Sequence, residues 1–111
     1  MRGYQDLQVW QRAMTLAEGV YRLTKSFPRE ELFGLTSQVR RSAASVPANI
    51  AEGYGRGTKP AYISFVRIAQ GSLKETETHL LLAERVGLRT AGATEHLRRR
   101  PTNSAACSAR C

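Results

Sequence analysis

The chain has 111 residues, with 17 Lys and Arg against 9 Asp and Glu for a net charge of +8. That length suits one domain with a modest core, and the cation excess suits a polyanionic partner such as nucleic acid or an anionic membrane surface, without bearing on fold. No apolar run approaches the roughly 18–20 residues that span a bilayer, and Met1 to Gln11 lacks the apolar centre of a signal peptide, so a cytoplasmic protein without a membrane segment is expected.

The charge is unevenly placed. Residues 1–88 carry 12 basic and 8 acidic side chains, whereas residues 89–111 carry 5 and 1. A first helix is predicted from Asp6 to Ser26, with Asp6 as N-cap and Phe27-Pro28 ending it. Trp10, Ala13, Ala17, Val20, Thr24 and Phe27 recur at three- and four-residue steps, the seam of a packed bundle helix. Leu7, Met14 and Tyr21 flank that seam on one side and Val9, Leu16 and Leu23 on the other. The apolar arc therefore covers roughly 200°, more than one core face needs. Two explanations stand: the helix is central in the fold, or the Val9, Leu16 and Leu23 row packs against another subunit.

Arg29-Glu30-Glu31 is predicted to open a second helix, whose stripe is Leu32, Leu35, Val39, Ala43, Val46 and Ile50. Pro47 cannot donate to the Ala43 carbonyl and should bend this helix. Ser42-Ala43-Ala44-Ser45 are small enough for a neighbouring backbone to come close. Gly53, Gly55 and Gly57 are expected to end the helix in a short flexible turn. A third helix follows from Thr58 to Val86, with Pro60 in its first turn. Its inward stripe is read as Ala61, Phe65, Ile68, Ser72, Thr76, His79, Ala83 and Val86, widened by Tyr62, Ala69, Leu73 and Leu80.

Beyond Leu88 the sequence changes character, with Leu97 as its one large aliphatic residue and no aromatic residue. Residues 1–88 are thus read as a three-helix core and 89–111 as an atypical basic tail. Cys107 and Cys111 share a four-residue spacing, but with His96 the one further ligand nearby no metal site is predicted, and free thiols are expected.

Arg40 and Arg41 are adjacent, so they point about 100° apart and cannot share one narrow site. Either they contact phosphate through their guanidinium forks, or they form structural ion pairs with Glu52 or an acid of the third helix. Arg56 and Lys59, in the glycine-rich turn, are placed for backbone contacts to nucleic acid, though surface solvation explains them too. Tyr54 and Tyr62 flank that turn, where base stacking and plain packing are both open. Asn49 and Glu52 lie on one side of the second helix and read as structural polar residues. His79 reads as a hydrogen-bonded core histidine. No catalytic residue is predicted, because no acid, base, nucleophile or metal cluster stands at a suggestive spacing, and Gly53-x-Gly55-x-Gly57 follows a helix rather than a strand. No cofactor is implied.

Several spaced motifs carry a resemblance. They are Leu7-x-Val9-Trp10-x-x-Ala13, Phe27-Pro28-x-x-Glu31-x-x-Gly34-Leu35, Gln38-x-Arg40-Arg41-Ser42, Ser45-Val46-x-x-Asn49-Ile50-Ala51-Glu52-Gly53, and Ile68-Ala69-x-Gly71-Ser72-x-x-Glu75-x-Glu77. From Leu7 to Leu88 the chain resembles the bacterial four-helix-bundle proteins first recognised as encoded by intervening sequences within 23S ribosomal RNA genes. The resemblance implies an all-α, up-down antiparallel four-helix bundle that assembles into a ring, commonly a homopentamer, with a basic surface and no established catalytic activity. A related branch resembles the accessory protein of diversity-generating retroelements, which works with a reverse transcriptase and its template RNA. Here the fourth helix is expected to be short, eroded or disordered, since the composition after Leu88 resembles a frameshifted reading frame. The function expected is non-enzymatic binding of RNA or other nucleic acid through Arg40, Arg41, Arg56 and Lys59. The alternatives are an assembly adaptor for a protein such as a reverse transcriptase, and a remnant without retained function.

Overall fold

A computed structural model describes residues 3–88. Every regular element among them is helical: α1 (Gln8–Thr24), α2 (Leu35–Gly55) and α3 (Lys59–Arg85), with single 3-10 turns at Tyr4–Asp6 and Arg29–Glu31. The fold is all-α and antiparallel, and the described residues hold three helices of the expected bundle. Residues 89–111, including His96, Leu97, Cys107 and Cys111, lie outside them.

The predicted boundaries shift where local hydrogen bonds compete. Asp6 does not cap α1: its N–H donates to the Gly3 carbonyl and that of Leu7 to the Tyr4 carbonyl, which closes a 3-10 turn and makes Leu7 the N-cap. Arg29–Glu31 does not open α2 either. It forms a separate turn, and the chain breaks at Gly34 before α2 begins. Glu31 nevertheless serves α2, because its Oε1 accepts from the Leu35 N–H at 3.1 Å, placing a carboxylate at the positive end of the helix. Leu32 consequently falls in the turn and is exposed rather than part of the stripe. Pro47 lies inside α2 without ending it.

Helix α2 is central. It packs along α3 on one side and α1 on the other, while the backbones of α1 and α3 stay further apart and the two helices meet through core side chains. One core cluster joins Leu16, Ala17 and Val20 of α1 to Val39 and Ala43 of α2 and Leu80 of α3. A second joins Ala13, Val46, Ile50 and Ala69, and Leu73 packs against both. The centre of the α3 stripe is rotated from the predicted one: Ala69 and Leu80 are buried, whereas Ile68 is 50% exposed and Val86 59%.

The α2–α3 seam is close and polar. Ser42 Oγ lies 2.8 Å from Thr76 Oγ1, and Ser45 Oγ 2.8 Å from Ser72 Oγ. Asn49 donates from Nδ2 to both the carbonyl and the hydroxyl of Ser45. Gly53 belongs to this seam rather than to a flexible turn: a Cβ there would stand 2.7 Å from Phe65 Cβ. The turn itself falls on Gly57, with φ +83°, followed by Thr58, which caps α3 by accepting from the Ala61 N–H. His79 is largely buried, with Nε2 3.5 Å from a Glu75 carboxylate oxygen, but that nitrogen has no hydrogen-bond partner among the described residues.

Candidate nucleic-acid interface

The α1–α2 seam differs on its outer side. The two helices diverge into an open groove of about 640 Å³. Small residues of α2, Ala44, Pro47, Ala48 and Ala51, leave its floor shallow, and Trp10, Met14 and Tyr21 of α1 stand along its wall. Leu7, Trp10, Met14, Tyr21 and Lys25 share one stripe of α1 at three-, four- and seven-residue steps, so the wall is continuous.

Cations gather at one end of this groove. Arg22 and Lys25 line it, with Glu18 the acid beside them. Arg40 joins them from α2: its Nε donates to Thr24 Oγ1 at 2.7 Å and its guanidinium lies 4.7 Å from the centre of the Tyr21 ring. The buried Thr24 hydroxyl in turn donates to the Val20 carbonyl at 2.8 Å. Arg40 is thus part of the joint between α1 and α2, with part of its donor fork already used. Arg41 is exposed and has no partner among the described residues. It lies three and seven positions before Ala44 and Ala48, on the stripe that forms the groove's α2 wall.

Arg56 and Lys59 lie elsewhere. Helical rise puts Arg56 roughly 24 Å along α2 from Arg40, so the four predicted cations form two groups and not one compact site. Arg56 Nη2 bonds a Glu52 carboxylate oxygen at 2.8 Å, and its guanidinium lies over the Phe65 ring at 4.9 Å. Glu52 therefore pairs with Arg56, one turn away, and not with Arg41, which is three turns distant. Asn49 sits in the α2–α3 polar seam. Lys59 is exposed at the first position of α3. Beside it a second pocket, about 500 Å³, is bounded by Leu7, Tyr54, Gly57, Thr58 and Tyr62, where the two tyrosine rings meet edge to face at 6.4 Å.

The row Val9, Leu16 and Leu23 is divided. Leu16 is 7% exposed and belongs to the chain's own core, with Leu23 packed against it, whereas Val9 is 47% exposed. Because α1 and α3 stand apart, this row turns toward the gap between them, and Val9 borders a groove of about 410 Å³ that also touches Arg12, Ile50 and Leu73. Arg22 and Lys25 are the basic residues that sequence reasoning missed. Their three-residue spacing on the Tyr21 side of α1 was the available signal.

This arrangement defines the class: an antiparallel helical-bundle protein with a basic, aromatic-lined groove on its surface. The family model of the 23S rRNA-intervening sequence proteins matches residues 5–106, and the chain belongs to that family. The match continues past Leu88, beyond the stretch over which the resemblance runs. No curated protein matches the sequence. Among the described residues, no helix is long and apolar enough to cross a membrane.

Proposed function

We propose that this protein is a non-enzymatic, cytoplasmic, homo-oligomeric protein that binds RNA or other nucleic acid chiefly through phosphate contacts. The observation that supports this best is the gathering of Arg22, Lys25 and Arg40 at one end of the α1–α2 groove, where Glu18 is the acid in the wall and Arg41 follows one helical turn before Ala44. Arg41 supplies a free fork for a phosphate, and Lys59 and the Glu52-paired Arg56 add weaker contacts at the far end. Release of counterions makes such binding salt-dependent. Filter-binding titrations against a structured RNA at several salt concentrations test this: affinity falls linearly with salt on logarithmic axes, and Arg41→Ala weakens binding across sequences. No binding at low salt, or binding indifferent to salt, overturns the reading.

Self-association is part of the proposal, with a ring such as a pentamer as the expected form. Val9 on one side and Ile68, Leu82 and Val86 on another are exposed aliphatic residues that a second subunit would cover. Light scattering on the full chain tests it, and a monomer at all concentrations would remove it. The aromatic wall of the groove favours a second reading, an adaptor that docks another protein such as a reverse transcriptase.

A further inference from the structure

The aromatic residues of this chain are not scattered. All four tyrosines and the one tryptophan line either the α1–α2 groove or the pocket at the α2–α3 turn: Tyr4, Trp10 and Tyr21 in the groove, Tyr54 and Tyr62 in the pocket. Leu7 bounds the pocket and precedes Trp10 on the same stripe of α1, so the two depressions follow one another along that helix. Tyr4 packs edge-on to Trp10 at 5.3 Å between centroids, which fixes the indole at the junction. The three phenylalanines, by contrast, lie outside both.

Charge along this path is graded. At one end Arg22 and Lys25 line the groove with Glu18, and Arg40 adjoins them on Thr24 and Tyr21, with Arg41 next to it on α2. At the other, Arg56 is paired with Glu52, which leaves Lys59 as the cation without an opposing acid on its own turn. Phosphate attraction alone would therefore hold a ligand at the Arg22 end and give it little reason to reach the turn. Aromatic faces supply that reason, because every base has a π-face and a stacked base adds affinity without sequence preference. A base within a duplex is already stacked on its neighbours and offers no free face.

We infer that the α1–α2 groove and its terminal pocket form a track for single-stranded nucleic acid, with unpaired bases stacked on Trp10 and on the Tyr54–Tyr62 pair and phosphates held by Arg22, Lys25 and Arg41. This rests on the nucleic-acid reading above and narrows it from polyanion to unpaired strand. Because Trp10 is the chain's one tryptophan, its fluorescence reports the track directly.

The experiment titrates the full chain with three ligands of equal length: a single-stranded RNA, the same sequence as a duplex, and an abasic strand that keeps the phosphates and lacks the bases. The single strand binds most tightly and alone quenches Trp10. Tyr54→Ala lowers its affinity by at least about fivefold and leaves duplex and abasic binding unchanged, and Tyr54→Phe retains the wild-type affinity. Circular dichroism confirms that both variants keep the wild-type helix content, and Tyr54 is suited to this because it is exposed. Equal binding of single strand and abasic strand, or a duplex that binds as well as the single strand, overturns the track while leaving the phosphate-binding function intact. Failure of all three ligands to bind at low salt overturns both. Unquenched Trp10 with tight single-strand binding also overturns the track, since the strand then lies elsewhere.

Discussion

The two seams of α2 use one helix in opposite ways. Toward α3 it presents Ser42, Ser45, Asn49 and Gly53, whose small or hydrogen-bonded side chains bring the two helices together until little surface is left between them. Toward α1 it presents the fully buried Val39 and Ala43 in the core and Ala44, Pro47, Ala48 and Ala51 further out, against bulky Trp10, Met14 and Tyr21. Paired hydroxyls and a glycine under Phe65 let α2 and α3 close on each other, whereas the alanines opposite Trp10, Met14 and Tyr21 leave a walled groove. The first seam is spent on holding the fold and the second leaves chemistry exposed.

Core and seam substitutions separate these roles most sharply. Leu80 is 1% exposed and links all three helices, so Leu80→Ala should cost about 2–5 kcal/mol in chemical denaturation. A loss under 1 kcal/mol would mean that α3 is not anchored there. Gly53→Ala gains up to about 1 kcal/mol in helix propensity, but its Cβ meets Phe65 Cβ, and the overpacking should outweigh the gain for a net loss of about 1–2 kcal/mol. A stabilised variant would show that the seam can open at no cost.

The finest comparison lies between adjacent arginines. Arg40→Ala removes the bond to Thr24 and the contact with Tyr21, for a loss of about 1–2 kcal/mol measured by denaturation. Arg41→Ala, with no partner to lose among the described residues, should change stability by less than about 0.5 kcal/mol while weakening nucleic-acid binding. Equal effects of the two on stability would erase the distinction between a structural and a free arginine. The Glu52–Arg56 pair is half exposed and within one helix, so it adds little to stability.

Much of the fold is readable from periodicity. The seam of α1 and the Val39 to Ile50 stripe of α2 are set by three- and four-residue spacing, and their burial follows because an apolar helix face must find cover. Capping is less readable. Asp6 has the right chemistry for an N-cap, but it ends a 3-10 turn of its own, which leaves Leu7 in the capping position. Glu31 caps α2 across a break that no local pattern marks. In α3, apolar residues cover so much of the helix that their spacing does not mark which edge is central.

For the candidate site, the sequence by itself determined that the chain is basic, that Arg40 and Arg41 diverge and that Tyr54 and Tyr62 flank a glycine-rich turn. These follow from composition and from 100° per residue, which need no neighbour. Tertiary structure alone decided that Arg40 is committed to Thr24 and Tyr21, that Arg22 and Lys25 join it, and that Trp10 and every tyrosine share one path. Those relations link side chains from different helices, and their separation depends on how closely each pair of helices packs.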